Sequence, residues 1–547
     1  VAFAGAFSGV AQTSDEVTDD DWATTRADAA RTGATDNSGP SGPYADEVWN
    51  TNDEDINTGG VGGAVISDDT VYVGSTTYSE YNRHNGQVIA YNATTGGVLW
   101  QRTDLAAVET SPVVVGDTVF VSALAPSHDR PAPSTGKAGL FALDAETGET
   151  KWNRDGNRPM YADGVLYVAT GDGTEAVNPQ SGTTVWTNTD VRGSMSVSDG
   201  TVYVLNDTGD SMSALDAQTG TEQWSASLPV SEDDVSGYTV SNGVIYLTAN
   251  PNTVYALSAD DGGVLWTKTA EHSLPDSSID EISAPAIADG VVYVGTDDDL
   301  DDTGYSQKEG EEMGAVHAFG AQTGEQVWRF ETAADIQGPP IVTDGQLYIG
   351  GEYTNQDSWE DESEYADHPS DLLDTVYERK VVYALNAESG DEQWSYAVPR
   401  SYGDDRVRGL AVANGYLYEW TDDDAPSTPR GDMFVIKTSD DEPEKNEQLA
   451  DDSLYEQNAD PTATITTDDE DGQYEGGQTV VLSATESSDS DGEIVSYEWD
   501  VDGDGEYETS GTTAEVTVPE CETVTVNLRV TDDDGGVSTG SAELRAQ

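Results

Sequence analysis

The chain of 547 residues carries 105 acidic and 23 basic side chains, for a formal charge of −82 at pH 7. That length exceeds one ordinary core and calls for several domains or a repeat architecture, and the lack of any basic stripe excludes nucleic acid as a partner and disfavours anionic lipid. The single cysteine, Cys521, excludes an internal disulfide, a cysteine-based zinc site and a haem-attachment pair; no apolar run approaches the ~20 residues of a membrane helix, so a membrane is not required.

Residues 1–21 form an apolar and then acidic segment, with Val1, Phe3 and Phe7 separated by small residues. One reading is the tail of a secretion signal cleaved after Ala11. Another is an extended strand with one packed face, donated to a sheet edge or groove of another copy. Such a head-to-tail contact builds a filament unless it closes into a ring. A membrane anchor is the third reading.

Asp46-Glu47-Val48-Trp49 reads as a strand with no unit before it. Then the phrase Ala-x-x-Gly-x-x-x-Trp begins to recur. It runs Ala93…Gly96…Trp100, Ala145…Gly148…Trp152, Ala217…Gly220…Trp224, Ala259…Gly262…Trp266, Ala321…Gly324…Trp328 and Ala387…Gly390…Trp394, with Pro179…Gly182…Trp186 as a variant. Around each copy lies a longer unit. In one of them a run ending at Asp289-Gly290 is followed by strands at 291–295, 315–319 and 326–330. Asp-Gly and Thr-Gly turns between β-branched and aromatic runs are hairpin signals, because glycine supplies the positive φ these turns need. Four short strands per unit, returning every 34 to 66 residues, describe propeller blades. Seven units end in a Trp. An eighth, with strands at 410–415, 416–420 and 433–437, has none, so Trp49 is expected to complete it and remove an open edge. Asn92 and Asn206 begin glycosylation sequons, short enough to arise by chance.

Blades 3, 4 and 5 join their second and third strands through three to five residues. The others insert about 76–86, 124–137, 297–313, 352–378 and 422–432. These are blades 1, 2, 6, 7 and 8, which are consecutive around a ring, so their insertions form a crown on one face, the expected binding face. His84, His128 and His368 lie in it and His272 follows a fourth strand on that face, but no pair has metal-ligand spacing within one element.

An acidic linker, 441–460, separates the propeller region, 22–440, from a module at 461–547. In that module Asp500-x-Asp502-x-Asp504-Gly505 sets alternate carboxylates on a tight loop. The twelfth position is Gly511, where an EF-hand needs a glutamate, so the loop is not a complete one. Calcium is the expected ligand of Asp500, Asp502 and Asp504, with an acidic hairpin turn as the alternative.

The phrase, second strands such as Val292-Tyr293-Val294-Gly295 and third strands such as Tyr383-Ala384-Leu385-Asn386-Ala387 resemble the PQQ-like repeat family. Trp22 with Arg26-Ala27-Asp28 and Arg31-Thr32-Gly33 is similar to the lead-in these proteins place before ring closure. The resemblance implies an all-β fold, an eight-bladed propeller in which each repeated Trp docks between neighbouring blades. Trp49, Trp100, Trp152, Trp186, Trp224, Trp266, Trp328 and Trp394 are thus structural. The family spans quinone-dependent dehydrogenases, an envelope-assembly scaffold lipoprotein and surface proteins. Its dehydrogenases use an adjacent cysteine pair, a calcium and an aspartate base; one cysteine cannot supply the pair, so PQQ is not expected. No Gly-x-Ser-x-Gly, phosphate-cradling loop or His-Glu-x-x-His is present. The module at 461–547, with Ile494-Val495-Ser496-Tyr497-Glu498-Trp499-Asp500, resembles the PKD domain, an Ig-like β-sandwich. The acidic balance resembles proteins of extreme halophiles, where roughly 3 Å of Debye length at 1 M salt mutes self-repulsion.

These readings converge on a non-enzymatic extracellular or cell-surface scaffold, an adhesin or a filament subunit. Its partners are a protein or glycan surface or copies of itself. The alternatives are a PQQ-dependent oxidoreductase or its degenerate relative, and an envelope-assembly scaffold.

Overall fold

The structure is a computed structural model. It describes residues 28–35, 37–40, 44–51, 61–67, 69–77, 85–108, 110–124, 136–230, 234–271, 278–299, 313–332, 334–336, 338–353, 379–397, 405–423 and 433–439, and then 461–467, 474, 476–488, 494–503, 507, 509–519, 523–532 and 537–546. The described residues fall into two compact units, 28–439 and 461–546. Among the described residues there are strands and no helix.

The first unit holds eight sheets, each with a core of four antiparallel strands. Six of its first-to-second-strand turns have the same chemistry: Asp163-Gly164, Asp199-Gly200, Asn242-Gly243, Asp289-Gly290, Asp344-Gly345 and Asn414-Gly415, all with positive φ at both positions. That is the two-residue turn whose twist matches the flanking strands, and Asx followed by Gly is the pair that tolerates it. The first strands are Val61–Ser67, Val113–Val115, Asn157–Ala162, Gly193–Ser198, Val235–Ser241, Ala286–Ala288, Ile341–Thr343 and Asp405–Ala413. Each touches the next, and the last touches the first, so the circuit closes as an inner wall. Fourth strands such as Thr150–Arg154 and Glu222–Ser227 alternate exposed and half-buried residues from their second position on, as an outer edge does.

Blade 8 is made from both ends of the unit. Tyr44–Asn50 pairs antiparallel with Met433–Ser439, which pairs with Tyr416–Asp423 and then Asp405–Ala413. Trp49 supplies the missing fourth strand.

Two features depart from the sequence reading. Several insertions start later than expected, because strand pairing continues into them. Val291–Asp299 stays in register with Met313–Gly320 out to Asp298 opposite Met313, and Gln346–Tyr353 with Arg379–Asn386 out to Tyr353 opposite Arg379. Each added pair satisfies backbone groups that a loop would leave to water. The short connections of blades 3, 4 and 5, at 171–172, 207–210 and 250–252, are likewise trimmed by longer strands.

The second departure concerns the lead-in. Residues 29–35 and 37–38 run along the inner wall. The Ala29 and Ala30 carbonyls accept from the Val197 and Val240 amides of blades 4 and 5, and those of Thr32 and Gly33 from the Ile287 and Val342 amides of blades 6 and 7. Ser38 accepts from the Gly415 amide, and Asn37 Nδ2 donates to the Val412 carbonyl of blade 8. Inner-edge amides of five consecutive blades would otherwise be unpaired.

The second unit is a sandwich. One sheet joins Thr466–Thr467, Thr479–Ser483 and Thr513–Thr517; the other joins Thr509–Ser510, Ile494–Asp500, Thr523–Asp532 and Val537–Arg545. Between them pack Trp499, Val480, Leu482, Val516, Val526, Leu528 and Leu544.

Candidate functional site

The repeated phrase builds the seams between blades. The Trp of one blade donates its Nε1–H to the carbonyl at the alanine position of the next blade's phrase. The distances are 2.8 Å for Trp49 to Ala93, 2.8 Å for Trp100 to Ala145, 2.9 Å for Trp152 to Pro179, 2.9 Å for Trp186 to Ala217, 2.9 Å for Trp224 to Ala259, 3.0 Å for Trp266 to Ala321 and 3.0 Å for Trp328 to Ala387. Pro179 serves because only the carbonyl is used. The phrase's Gly has φ near +70° and lies under the visiting indole: a Cβ on Gly220 would stand 2.4 Å from the Trp186 ring. Glycine is needed there twice, for backbone angle and for room. The residue before the alanine position ties the turn, as when Asn178 and Asp216 accept amides two and three residues on.

Trp394 differs. It is buried and packs on Tyr348 at 5.8 Å, but its Nε1 has no acceptor among the described residues. Blade 8 has no turn between its third and fourth strands, since those come from opposite ends of the unit. For that reason no carbonyl meets Trp394 among the described residues. Tyr348 donates instead to the Pro40 carbonyl, 2.7 Å, whereas Tyr293 in blade 6 shares the Ala387 carbonyl with its own blade's Trp328.

Next to this seam is a buried acid. Glu419, on the second strand of blade 8, is fully buried with neither carboxylate oxygen partnered among the described residues. Burial pushes its pKa up to about 7, against the opposing pull of buried Lys380 on blade 7. Neither residue stands out in the sequence, since nothing in a Tyr-Glu-Trp strand distinguishes a buried glutamate from a solvated one.

An arginine group at the inner wall is equally silent in the sequence, where Arg31 appears only as part of the lead-in. Arg31 Nη1 donates to Ser194 Oγ at 3.1 Å. Arg158 and Arg192 share Asp207, at 2.8 and 3.2 Å.

Asn92 and Asn206 both act within turns. Asn92 Oδ1 accepts from the Thr95 amide and hydroxyl, as part of the repeated phrase. Asn206 Nδ2 donates to Thr208 and Asp210. In the second unit Asp500 is buried; its Oδ1 accepts from the Gly503 amide at 2.6 Å and its Oδ2 from Asn527 Nδ2 at 2.8 Å. Asp502 is exposed and Asp504 lies outside the described residues. The described residues of this loop form a hydrogen-bonded turn, and among the described residues no three His, Cys, Asp or Glu side chains are gathered as a metal site. Val1, Phe3, Phe7, Trp22, His84, His128, His272 and His368 lie outside the described residues. The fifth histidine, His317, is buried in blade 6 beside Thr296 Oγ1.

Known proteins agree with this architecture. The chain is 26% identical over 317 residues to tetrathionate hydrolase of Acidithiobacillus ferrooxidans, covering 53% of each. It is 26% identical over 259 residues to outer membrane protein assembly factor BamB of Yersinia pestis, covering 43% of this chain and 58% of that one. The chain spans between about a quarter and three fifths of the length of the curated relatives it matches. Among solved structures it is similar in fold to quinohemoprotein alcohol dehydrogenase ADHIIG from Pseudomonas putida HK5, with TM-score 0.52, 13% identity and coverage of 83% and 84%. A PKD domain matches residues 458–546. With residues 43–174, 171–313 and 310–421 matching in succession, the chain belongs to the PQQ-repeat family described as outer membrane protein assembly factor BamB.

Proposed function

We propose that this protein is a non-enzymatic scaffold of the cell surface or envelope. It binds a protein or glycan surface through the long connections of blades 6, 7, 8, 1 and 2. One observation carries this reading. The phrase common to the repeats is used up in the seams, while the connections that differ all join second to third strands, at one end of consecutive blades. Repeat proteins place binding on such a variable end. Membership in the BamB family and the PKD domain support a surface or assembly role. In the fuller form of the proposal the protein is extracellular and halophilic, and a donated strand carrying Val1, Phe3 and Phe7 builds filaments.

Replacing 300–312 and 354–378 with two-residue Asn-Gly turns tests the first part, because the blades then close on short hairpins. Full-length protein is expected to bind isolated envelopes saturably and the shortened chain at least tenfold more weakly; equal binding would overturn the assignment of the loops. For the filament, removal of residues 1–12 is expected to abolish assembly seen by sedimentation in molar salt.

Likeness to a quinohemoprotein dehydrogenase supports a second reading. The chain's residues do not fit that chemistry well, since Cys521 cannot form an adjacent pair, and no step is derived from it. PQQ-dependent dye reduction in the presence of calcium would establish the enzyme and sink the scaffold. Calcium on Asp500, Asp502 and Asp504 remains part of the proposal: a saturable rise in the sandwich's melting temperature with calcium is expected, abolished by Asp502→Asn.

A further inference from the structure

Nine described residues other than glycine have positive φ. Seven are Asp69, Asp163, Asp199, Asn242, Asp289, Asp344 and Asn414, short polar residues that tolerate this conformation. The remaining two are Arg31, at +62°, and Arg158, at +48°. Neither sits in such a turn. Arg31 belongs to the segment along the inner wall. Arg158 lies in a register shift between Asn157 and Met160 on the first strand of blade 3. Left-handed backbone at a long side chain is strain that the surrounding structure must hold, and such strain concentrates at functional sites.

The two side chains come close enough for the charge of Arg158 to depress the pKa of Arg31, on top of the larger effect of burial. Arg31 has no carboxylate partner among the described residues. Its Nη1 meets only the Ser194 hydroxyl, and its Nε is enclosed with no acceptor. The nearby Arg158 and Arg192 divide one carboxylate, Asp207, between them. Among the described residues two guanidinium groups thus share one acid and the third has none, in a chain with 105 acidic residues. Carboxylates were abundant enough to neutralise this group, yet the half-buried Arg31, its Nε enclosed, has no carboxylate partner among the described residues. Enclosed cations are costly without an anionic partner. The guanidinium fork prefers one presenting two oxygens in a plane. Ser194 pairs with Leu205 at the end of blade 4 from which its short 207–210 connection leaves, so the group lies at that end of the inner wall.

We propose that Arg31 and Arg158, with Arg192 beside them, form a binding site for a small divalent anion, an oxyanion or a dicarboxylate. The Asp207 carboxylate holds Arg158 and Arg192 in place without cancelling the site's charge.

Calorimetric titration of the full chain with sodium sulfate, and separately with sodium succinate, at fixed ionic strength tests this. Saturable binding of one equivalent is expected for at least one anion; sulfate alone identifies an oxyanion site and succinate alone a dicarboxylate site. Arg158→Gly is expected to weaken binding at least tenfold. Because glycine adopts φ of +48° freely, this variant should melt no lower than the parent in anion-free buffer. Arg192→Gln, at a half-exposed position that leaves the fold alone, gives Asp207 wholly to Arg158 and should weaken binding severalfold. No saturable heat from either anion overturns the proposal, as does binding by both variants within twofold of the parent.

Discussion

The seam between blades 4 and 5 and the seam between blades 7 and 8 are built from the same residue type and differ in one atom. Trp224 finds the Ala259 carbonyl. Trp394 is more deeply buried than Trp224 and finds nothing among the described residues. The packing half of the interaction survives at blade 8 and the polar half does not. The indole is thus held by two separable contributions, ring burial and a single hydrogen bond, and the molecule contains its own control for telling them apart.

The largest way to break the comparison is to remove both contributions. Trp224→Ala should cost about 3–5 kcal/mol, the range for a large aromatic removed from a core, read as a lowered midpoint in denaturant unfolding. Trp394→Ala should fall in the same range, because the burial it loses is comparable.

A second test uses the acid beside the odd seam. Glu419 has a folded pKa raised to about 7 from an ordinary 4.5. The folded state therefore binds the proton more tightly. Its stabilisation is fully present below pH 4.5, declines as pH rises, and is gone above about 7. The span corresponds to on the order of 3 kcal/mol. Glu419→Gln should leave stability near pH 4 almost unchanged and raise it at pH 8, flattening the profile between. If unfolding midpoints of parent and variant run parallel across that range, the carboxyl is not buried in the way described.

The finest test removes the hydrogen bond alone. Trp224→Phe deletes the donor and strands a buried carbonyl, expected to cost about 1–3 kcal/mol. Trp394→Phe deletes a donor that has no acceptor, so its cost should be smaller by about 1 kcal/mol or more, and the sign can reverse. Equal losses at the two positions would show that both indoles are partnered.

Much of this fold could be read directly from the chain. The spacing of Trp, Gly and the Asx-Gly pairs reported eight blades, because turn chemistry and aromatic burial act locally and repeat. Trp49 was legible as the clasp, since a fourth strand without predecessors has only one place to go. The partner of each Trp was not. The phrase reads as a unit belonging to its own blade, while in space its alanine carbonyl and glycine receive the indole of the blade before. Arg31 and Arg158 were hidden for a related reason: their proximity depends on where residues 29–35 run, and a lead-in of mixed small and polar residues carries no period. Glu419 was hidden because its strand reads the same whether the glutamate faces water or a neighbouring blade.

The clasp between Tyr44–Asn50 and Met433–Ser439 also says where this chain could be recut. Lys437 and Glu47 stand in blade 8 where Asn92 and Val98 stand in blade 1, so a five-residue link copied from 93–97 would join them as ordinary third and fourth strands. New termini could then open at an exposed Asn242-Gly243 turn, a kind of site where circular permutation is tolerated. The permuted chain would own an eighth copy of the phrase, and Trp394 would gain the carbonyl that the natural order of the gene withholds from it.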